Sequence, residues 1–577
     1  MFDMQEKTAT KLRAFLLSLP LALYVFFYWI SHSGIDILIP LAVSVIVLAA
    51  LCVLLYFVVE KHLCGRVTKV FKPLGETSKT TDTKMPVRSL IFIAVSSFGS
   101  LALLSQSSPL YPINTWGDSN IYFTVSKAML HGQVLYRDIF DQKGFYHYVL
   151  HMPGILISDT TFTGIYIVEA VCTIVFLLFI HKIILLYSRP SVTTDLLVAA
   201  LPFILFSGSA FFQGDSAEEL MLPFYAATAY IGLKALREGR MPNVKEAGII
   251  GLLTGFVFWT KYTMCGIFLG FVIWITVKMI RRRNYQMLGK LALAFIAGFI
   301  AIAIPVFVYF LVNRAVPDLI NGYFLDNFVV YAESKSEEAL PLAVRLAFTF
   351  IFFFANCDLL IFALIFLGFL GFALTGRKGG AYSFLMSLAC GSLVGVYIGG
   401  YTIRYYAIIF YAFAAMIAVP LALLLNDLAK ESRTRTPVYI IAVILCLASI
   451  PAAFFRSENT YFILTPRSNI PQYKFAQYIS QSEDKTLINY RFLDGGFYMV
   501  TDTLPFICHY CMYYDDVFRL EDQLNAISNR DTHFIITRNE CPEFDGYTLI
   551  DEATIESTFT GTLPIDNAVY YLYEVNR

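Results

Sequence analysis

The sequence predicts a polytopic α-helical membrane protein of about 13 transmembrane helices that ends in a small extracytoplasmic α/β domain. Three observations carry that expectation. Of 577 residues, 57% are hydrophobic and only 15% are charged, and the mean hydropathy is +0.63; a soluble chain of this length needs far more charge to cover its surface. The apolar residues are gathered into runs of bilayer length. The composition then changes abruptly at Arg456, after which 18 Asp/Glu stand against nine Lys/Arg. The formal net charge is zero, so no nucleic-acid partner is expected.

The first apolar run, Arg13–Ile30, follows Lys7 and Lys11. No small-residue cleavage site succeeds it and a second run, Ile35–Val59, starts within a few residues, so it reads as a retained helix. Residues 1–60 therefore form an N-terminal helix pair. Residues 61–88 are a cytoplasmic basic linker, with seven Lys/Arg against Glu76 and Asp82 and a Thr/Ser/Lys-rich centre of the kind that makes flexible connectors. Further apolar runs fill 89–455, at about 89–106, 162–187, 192–212, 219–236, 246–260, 263–280, 288–312, 345–375, 381–400, 405–425 and 437–455. The run at 345–375 holds Asn356, Cys357 and Asp358 and can be read as one long tilted helix or two short ones.

Charge decides between them. With the N-terminus cytoplasmic and 13 crossings, inside segments hold 26 Lys/Arg and outside loops hold eight. Splitting 345–375 would move Arg377 and Lys378 outside, against the positive-inside rule. The expected localisation is thus a multi-pass cell-membrane protein whose loops at Thr115–Pro153, 213–219 and 313–343, and whose tail, 456–577, all face outward. In the tail, β-rich runs (Thr486–Phe492, His533–Thr537, Tyr547–Ile550, Val569–Val575) alternate with helical ones (Gln472–Ile479, Asp515–Ile527), the pattern of a small α/β domain. Cys508-His509-Tyr510-Cys511 is half of a zinc motif with no second half. Outside the cytoplasm a disulfide, within this pair or to Cys541, is the better reading. There is no internal repeat, Walker loop or GxGxxG motif, so nothing points to a nucleotide-driven pump.

The chemistry-bearing stretch is Thr115–Pro153, which carries Asp118, Lys127, Arg137, Asp138, Asp141 and Lys143 among aromatics. A simple connecting loop has no need for so many charges, although aromatics alone would anchor one at the interface. Asp118 follows Trp116-Gly117 at the start of a helical segment, where it can act as a base or merely as an N-cap. A second acidic group is Asp215, Glu218 and Glu219, on an outer loop free of Lys/Arg. Capping explains one of these acids; three suit a divalent cation or a hydroxylated acceptor. The basic counterparts are Arg137, Lys143 and Arg404, with Lys261 a further candidate at a tight turn, where turn solvation explains it about as well as ligand binding. Lys143 and Arg404 sit among aromatics, Tyr405 included, at headgroup depth, where they suit a lipid-linked phosphate or simply snorkel. In 313–343 the spacing of Leu319, Tyr323, Phe324 and Phe328 predicts a surface helix, either a lid or a passive interfacial element.

These residues resemble the GT-C fold glycosyltransferases, multi-spanning enzymes that use polyprenyl-phosphate sugars, including the bacterial mannosyltransferase and aminoarabinose-transferase types. The resemblance lies in Asp118, Tyr122, Gly132, Tyr136-Arg137-Asp138 and Asp141-Gln142-Lys143 of the first loop. It continues in the acidic loop before LMLPF, in GGYTIRYYAIIFYAF, and in the tail's GGFYMVTDTLP. It spans roughly 89–577, with Gly144-Phe145 where the family has Pro-Pro. It implies transfer of a sugar from a polyprenyl-phosphate carrier to a hydroxyl of a glycan, lipid or protein acceptor at the outer membrane surface. Asp118 would be the catalytic base, and Arg137, Lys143, Glu218, Glu219, Arg404 and Tyr405 would bind substrate. No cofactor is required by this chemistry, though a divalent cation is compatible with it. Two alternatives remain at this stage: a lipid-carrier flippase or transporter, and a non-catalytic envelope assembly partner.

The topology is directly testable. A cysteine introduced at Asn567 is expected to react with a membrane-impermeant thiol reagent in intact cells. Labelling that needs lysis would reverse the orientation of every loop named above.

Overall fold

The computed structural model describes residues 84–330, 356–374, 380–399, 403–431, 436–512, 517–555 and 568–576, with shorter pieces within 22–26, 41–53, 69–77 and 341–354. The N-terminal helix pair and the linker expected from the sequence lie largely outside the described residues. α-Helices of two turns or more are α1 (Val87–Leu104), α2 (Gly117–Leu130), α3 (Phe145–Ile157), α4 (Thr163–Leu185), α5 (Val192–Phe206), α6 (Leu222–Arg237), α7 (Val244–Phe258), α8 (Gly266–Arg281) and α9 (Tyr285–Val312). They continue with α10 (Leu359–Leu374), α11 (Ala381–Tyr397), α12 (Ala418–Glu431), α13 (Thr436–Arg456), α14 (Pro471–Ile479) and α15 (Val517–Ser528). Every apolar run from residue 89 to 455 carries one of these helices. Among the described residues, six helical segments are long and apolar enough to cross a membrane: Val87–Leu104, Thr163–Leu185, Tyr262–Arg281, Tyr285–Val312, Arg404–Ala429 and Thr436–Arg456. Val192–Phe206, Leu359–Ala373 and Ala381–Tyr397 are apolar but shorter.

Apolar helices have little hydrophobic reason to associate in lipid, so close packing has to come from shape. α8 and α11 show how. Gly266 and Gly270 face Gly391 and Gly395, and a Cβ on Gly266 would lie 2.1 Å from the Gly391 carbonyl oxygen. The two backbones touch, and any larger residue would part them.

The tail builds a four-stranded sheet from β1 (Leu487–Asn489), β2 (Phe534–Arg538), β3 (Tyr547–Thr554) and β4 (Val569–Val575), in the order β1-β2-β4-β3. β1 and β2 are parallel, while β4 runs antiparallel to β2 and β3. β2 is buried along most of its length, as a central strand should be. Cys508, Cys511 and Cys541 are free thiols, which corrects the expected disulfide. Cys511 is buried in the core, whereas Cys541 is exposed and accepts a hydrogen bond from the Tyr573 hydroxyl at 3.1 Å.

The sheet shares one apolar core with the first loop. Ile121, Leu135 and Phe145 pack in the same cluster as Phe310, Tyr323, Phe475, Phe534 and Leu572. Polar ties sew α2 to the tail: Thr124 donates to Asp494 at 2.6 Å, Lys127 pairs with Asp502 at 2.5 Å, and Gln133 donates to the Pro505 carbonyl at 2.8 Å. Burial pushes the Asp494 carboxyl up to about 6, against the pull of Thr124 and the Gly496 N–H. A π-helix, Ile320–Val330, occupies the predicted surface-helix segment; residues 331–340 of that loop lie outside the described residues. Asn327 donates to the Gln142 carbonyl at 3.0 Å, and Asp326 accepts from Arg519 of α15. Arg519 also lies 4.2 Å above the Phe140 ring of the first loop.

Arg519 and Asp326 are each 5% exposed. Removing one partner therefore leaves the other as an uncompensated buried charge. Arg519→Met is expected to lower stability by about 3–5 kcal/mol, read as a drop in thermal midpoint of the purified protein, and Asp326→Asn in the same chain is expected to restore part of it. An unchanged midpoint would mean that the tail is not held through this pair.

Candidate functional site

α2 begins at Gly117 because its N-cap, Trp116, is extended. Asp118 sits in the first turn, but no side chain caps this helix, so its carboxylate is directed elsewhere. Its Oδ2 accepts from the Tyr122 hydroxyl at 3.1 Å and from the Tyr405 hydroxyl at 3.4 Å, and lies 3.7 Å from the Lys143 ammonium. Burial, then the Asp118 charge, raises Tyr122 well above the ordinary phenol range, so Tyr122 stays protonated and donates. Lys143 also stands 5.2 Å over the Tyr122 ring.

Gly144 fixes where Lys143 goes. Its N–H donates to the Thr260 carbonyl at 2.9 Å, and the Tyr146 N–H donates to the Trp259 carbonyl at 3.0 Å. A Cβ on residue 144 would lie 2.1 Å from that Trp259 oxygen, so the two chains meet only because residue 144 is glycine. The departure from the family's Pro-Pro thus has a local reason: proline has no N–H to donate. The next residue of the contacted turn is Lys261. Its ammonium is 2.5 Å from Glu218 Oε1 and lies over the Tyr405 and Tyr406 rings at 5.1 and 4.5 Å. Burial lowers Lys261 below the ordinary lysine range, with Lys143 adding to the effect and Glu218 opposing it.

Glu218 and Glu219 part company. Ser216 caps the one-turn helix Ala217–Leu220, which sends Glu218 toward Lys261 and Glu219 inward, where its Oε2 accepts from the Asp215 N–H at 3.0 Å. That N–H also donates to Glu169 at 2.8 Å. Asp215 itself accepts from His151 at 2.8 Å. Burial alone would lower His151, but the Asp215 carboxylate outweighs it and raises the imidazole. His147, one helical turn earlier, meets the Tyr122 ring edge-on at 4.1 Å. Burial, then His151, Lys143 and Lys261, holds it well below the ordinary histidine range, so it is neutral.

The structure thus brings together Asp118, Lys143, Glu218 and Tyr405. Arg137 is not among them: it pairs with Asp138 at 2.8 Å and donates to the Asn313 carbonyl at 2.8 Å. Arg404 is half-exposed, pairs with Glu458 and stacks 5.9 Å from Phe212. Sequence reasoning left Lys261 open between turn solvation and ligand binding and did not single out His147 or His151. The i, i+4 spacing of the two histidines, which places both on one face of a helix, was the available signal. Among the described residues no group of three or more His, Cys, Asp or Glu is arranged to hold a metal ion. What the cluster can do is accept a proton at Asp118 beside a fixed cation, in a site shielded from water.

Comparison with known proteins agrees with the resemblance drawn from the sequence. The family model described as "Dolichyl-phosphate-mannose-protein mannosyltransferase" matches residues 145–309, a stretch that contains His151, Asp215, Glu218 and Lys261 but begins after Lys143. No curated protein matches the chain. Among solved structures it is similar to ArnT from Cupriavidus metallidurans bound to undecaprenyl phosphate, at 12% identity and a TM-score of 0.49, covering 84% of this chain and 97% of that one. The apo state of the same ArnT gives 11% identity and a TM-score of 0.46, covering 78% and 92%. The arabinosyltransferase EmbB from Mycobacterium smegmatis gives 14% identity and a TM-score of 0.38, covering 72% of this chain and 42% of that one. By its first-loop motif and the family match over 145–309, the chain resembles the GT-C glycosyltransferases.

Proposed function

We propose that the protein transfers a sugar from a polyprenyl-phosphate carrier to an acceptor hydroxyl at the outer surface of the membrane. The observation that carries this reading is the Asp118 carboxylate 3.7 Å from the Lys143 ammonium, a base and a cation side by side in a nearly closed site. The acceptor hydroxyl donates its hydrogen bond to Asp118 and attacks the anomeric carbon. As the new C–O bond forms, the bond from that carbon to the carrier phosphate breaks, and its electron pair goes to the phosphate oxygen. The hydroxyl proton passes to Asp118. The carrier departs as a phosphate monoester, so its leaving needs no acid; it needs positive charge, which Lys143 supplies as the charge develops. A glycosidase, whose leaving group is an alcohol, would need a second carboxyl as acid. Tyr122 and Tyr405 hold Asp118 by its outer oxygen and aim it.

Arg404 and Arg137 are outside this chemistry in the proposal, at the rim and on the first loop respectively. The resemblance to the GT-C enzymes supports the carrier class, and the sugar and the acceptor are to be found by assay.

Asp118→Asn tests the base. Asn is nearly isosteric, and since Asp118 caps no helix the fold is expected to stand. Turnover with radiolabelled polyprenyl-phosphate sugars and an envelope extract as acceptor should fall by roughly 10²–10⁴-fold, with thermal midpoint and carrier binding retained. A folded Asp118→Asn protein of near-normal turnover would remove Asp118 from the role.

A further inference from the structure

We infer that Lys261 is the second cation of the carrier-phosphate site, and that Glu218 is its counter-ion, which the phosphate displaces. This rests on the function proposed above and adds a residue and an exchange of partners to it. The geometry is specific. Tyr405 links the two lysines: its hydroxyl donates to Asp118, the partner of Lys143, while its ring lies under Lys261. The backbone contact at Gly144 holds the two lysine-bearing segments against each other. Both lysines are 9% exposed, and each is paired with a carboxylate, Lys143 with Asp118 at 3.7 Å and Lys261 with Glu218 at 2.5 Å. The second oxygen of Glu218 is buried and has no hydrogen-bond partner among the described residues. A carboxylate that spends only one oxygen on its lysine, with the other left dry, is a costly arrangement for a purely structural bridge.

The charge count fits the two ends of the reaction. A polyprenyl-phosphate sugar is a phosphodiester with one negative charge. The departing carrier is a monoester whose second ionisation lies at about pH 6, so it carries close to two charges at neutral pH. One lysine matches the donor; two match the leaving group. Lys261 therefore acts more on the product and on the transition state that precedes it than on the bound donor. Arg404 is far more exposed than either lysine and pairs with Glu458, itself 43% exposed. The null alternative is a buried ion pair that only fastens the 213–219 loop to the turn at 259–262.

The two readings predict opposite signs for one variant. Decaprenyl phosphate and its methyl diester are titrated into the full-length protein in nanodiscs, for the wild type, Glu218→Gln and Lys261→Met. Freed of its counter-ion, Lys261 should bind the phosphate better, so Glu218→Gln is expected to tighten decaprenyl phosphate by roughly tenfold. Lys261→Met, which keeps the stem packed on the two tyrosine rings, should weaken it by about 10–100-fold, the range of a charge-assisted contact, and should weaken the methyl diester much less. Glu218→Gln binding that is unchanged or weaker would overturn the inference, as would Lys261→Met binding equal to wild type. If Lys261→Met does not fold, the sign of the Glu218→Gln effect decides alone. Wild-type protein that takes up no decaprenyl phosphate would overturn the proposed function itself, a result distinct from either variant's.

Discussion

The contact between Gly144 and the turn at Trp259-Thr260 is the constraint from which the site follows. Two backbone hydrogen bonds draw the first loop onto the α7–α8 connection, and the missing side chain of Gly144 gives the room for them. Residues on either side of such a contact have no freedom to drift apart. Lys143 and Lys261 are those residues, so their mutual repulsion is built in by the backbone. It is offset by placing one carboxylate against each. The result is an electroneutral group of four charges, with Lys143, Lys261 and Glu218 buried and Asp118 partly so. A single lysine in the same place would bind a phosphate without any exchange of partners.

The carboxylate against Lys261 is delivered by a loop that is itself held in an unfavourable backbone state. Phe212 and Asp215 have φ of 58° and 61°, the left-handed region that disfavours residues with a Cβ. What offsets this is the ring of partners around Asp215: His151 on its side chain and Glu169 with Glu219 on its N–H. Those partners come from α3, α4 and the loop itself. The position of Glu218 is therefore set by three elements at once, and the adjacent carboxylates of Glu218 and Glu219 acquire unrelated surroundings from a single helical step of about 100°.

The fold was legible in the sequence where the signal is local. Apolar runs mark helices because lipid demands them, and the tail's Val569–Val575 and His533–Thr537 read as strands because β-branched and aromatic residues cluster there. Asp118, Lys143 and Tyr405 were legible as candidates because they belong to compact motifs. The rest depends on pairing at a distance, which sequence spacing does not encode. Arg137 and Arg404 carry charge near the expected boundaries, and the acids they pair with, Asp138 and Glu458, were not readable as their partners from charge alone. Lys261 stayed open between turn solvation and ligand binding because its partner is 43 positions away. His147 and His151 carried no partner readable from spacing, since the acid beside His151 is Asp215, 64 positions away.

The same distinction explains the tail. The first loop is apolar on more than one side: Phe123, Leu135, Ile139 and Tyr148 are all fully buried, yet they do not share one helical face. Membrane helices can cover one side of such a loop. The other sides need a partner that is not in the bilayer, and the sheet with α14 supplies it, sharing a core with Leu135, Ile139 and Tyr148 of the loop. Catalysis by a fixed base and a fixed cation depends on holding them to fractions of an ångström. A loop that lay on the bilayer surface, covered only from below, would not hold Asp118 and Lys143 that closely. The tail therefore packs over the first loop, and the charges that tie it down, Arg519 to Asp326 and Lys127 to Asp502, help to fix the segment that carries Asp118 and Lys143.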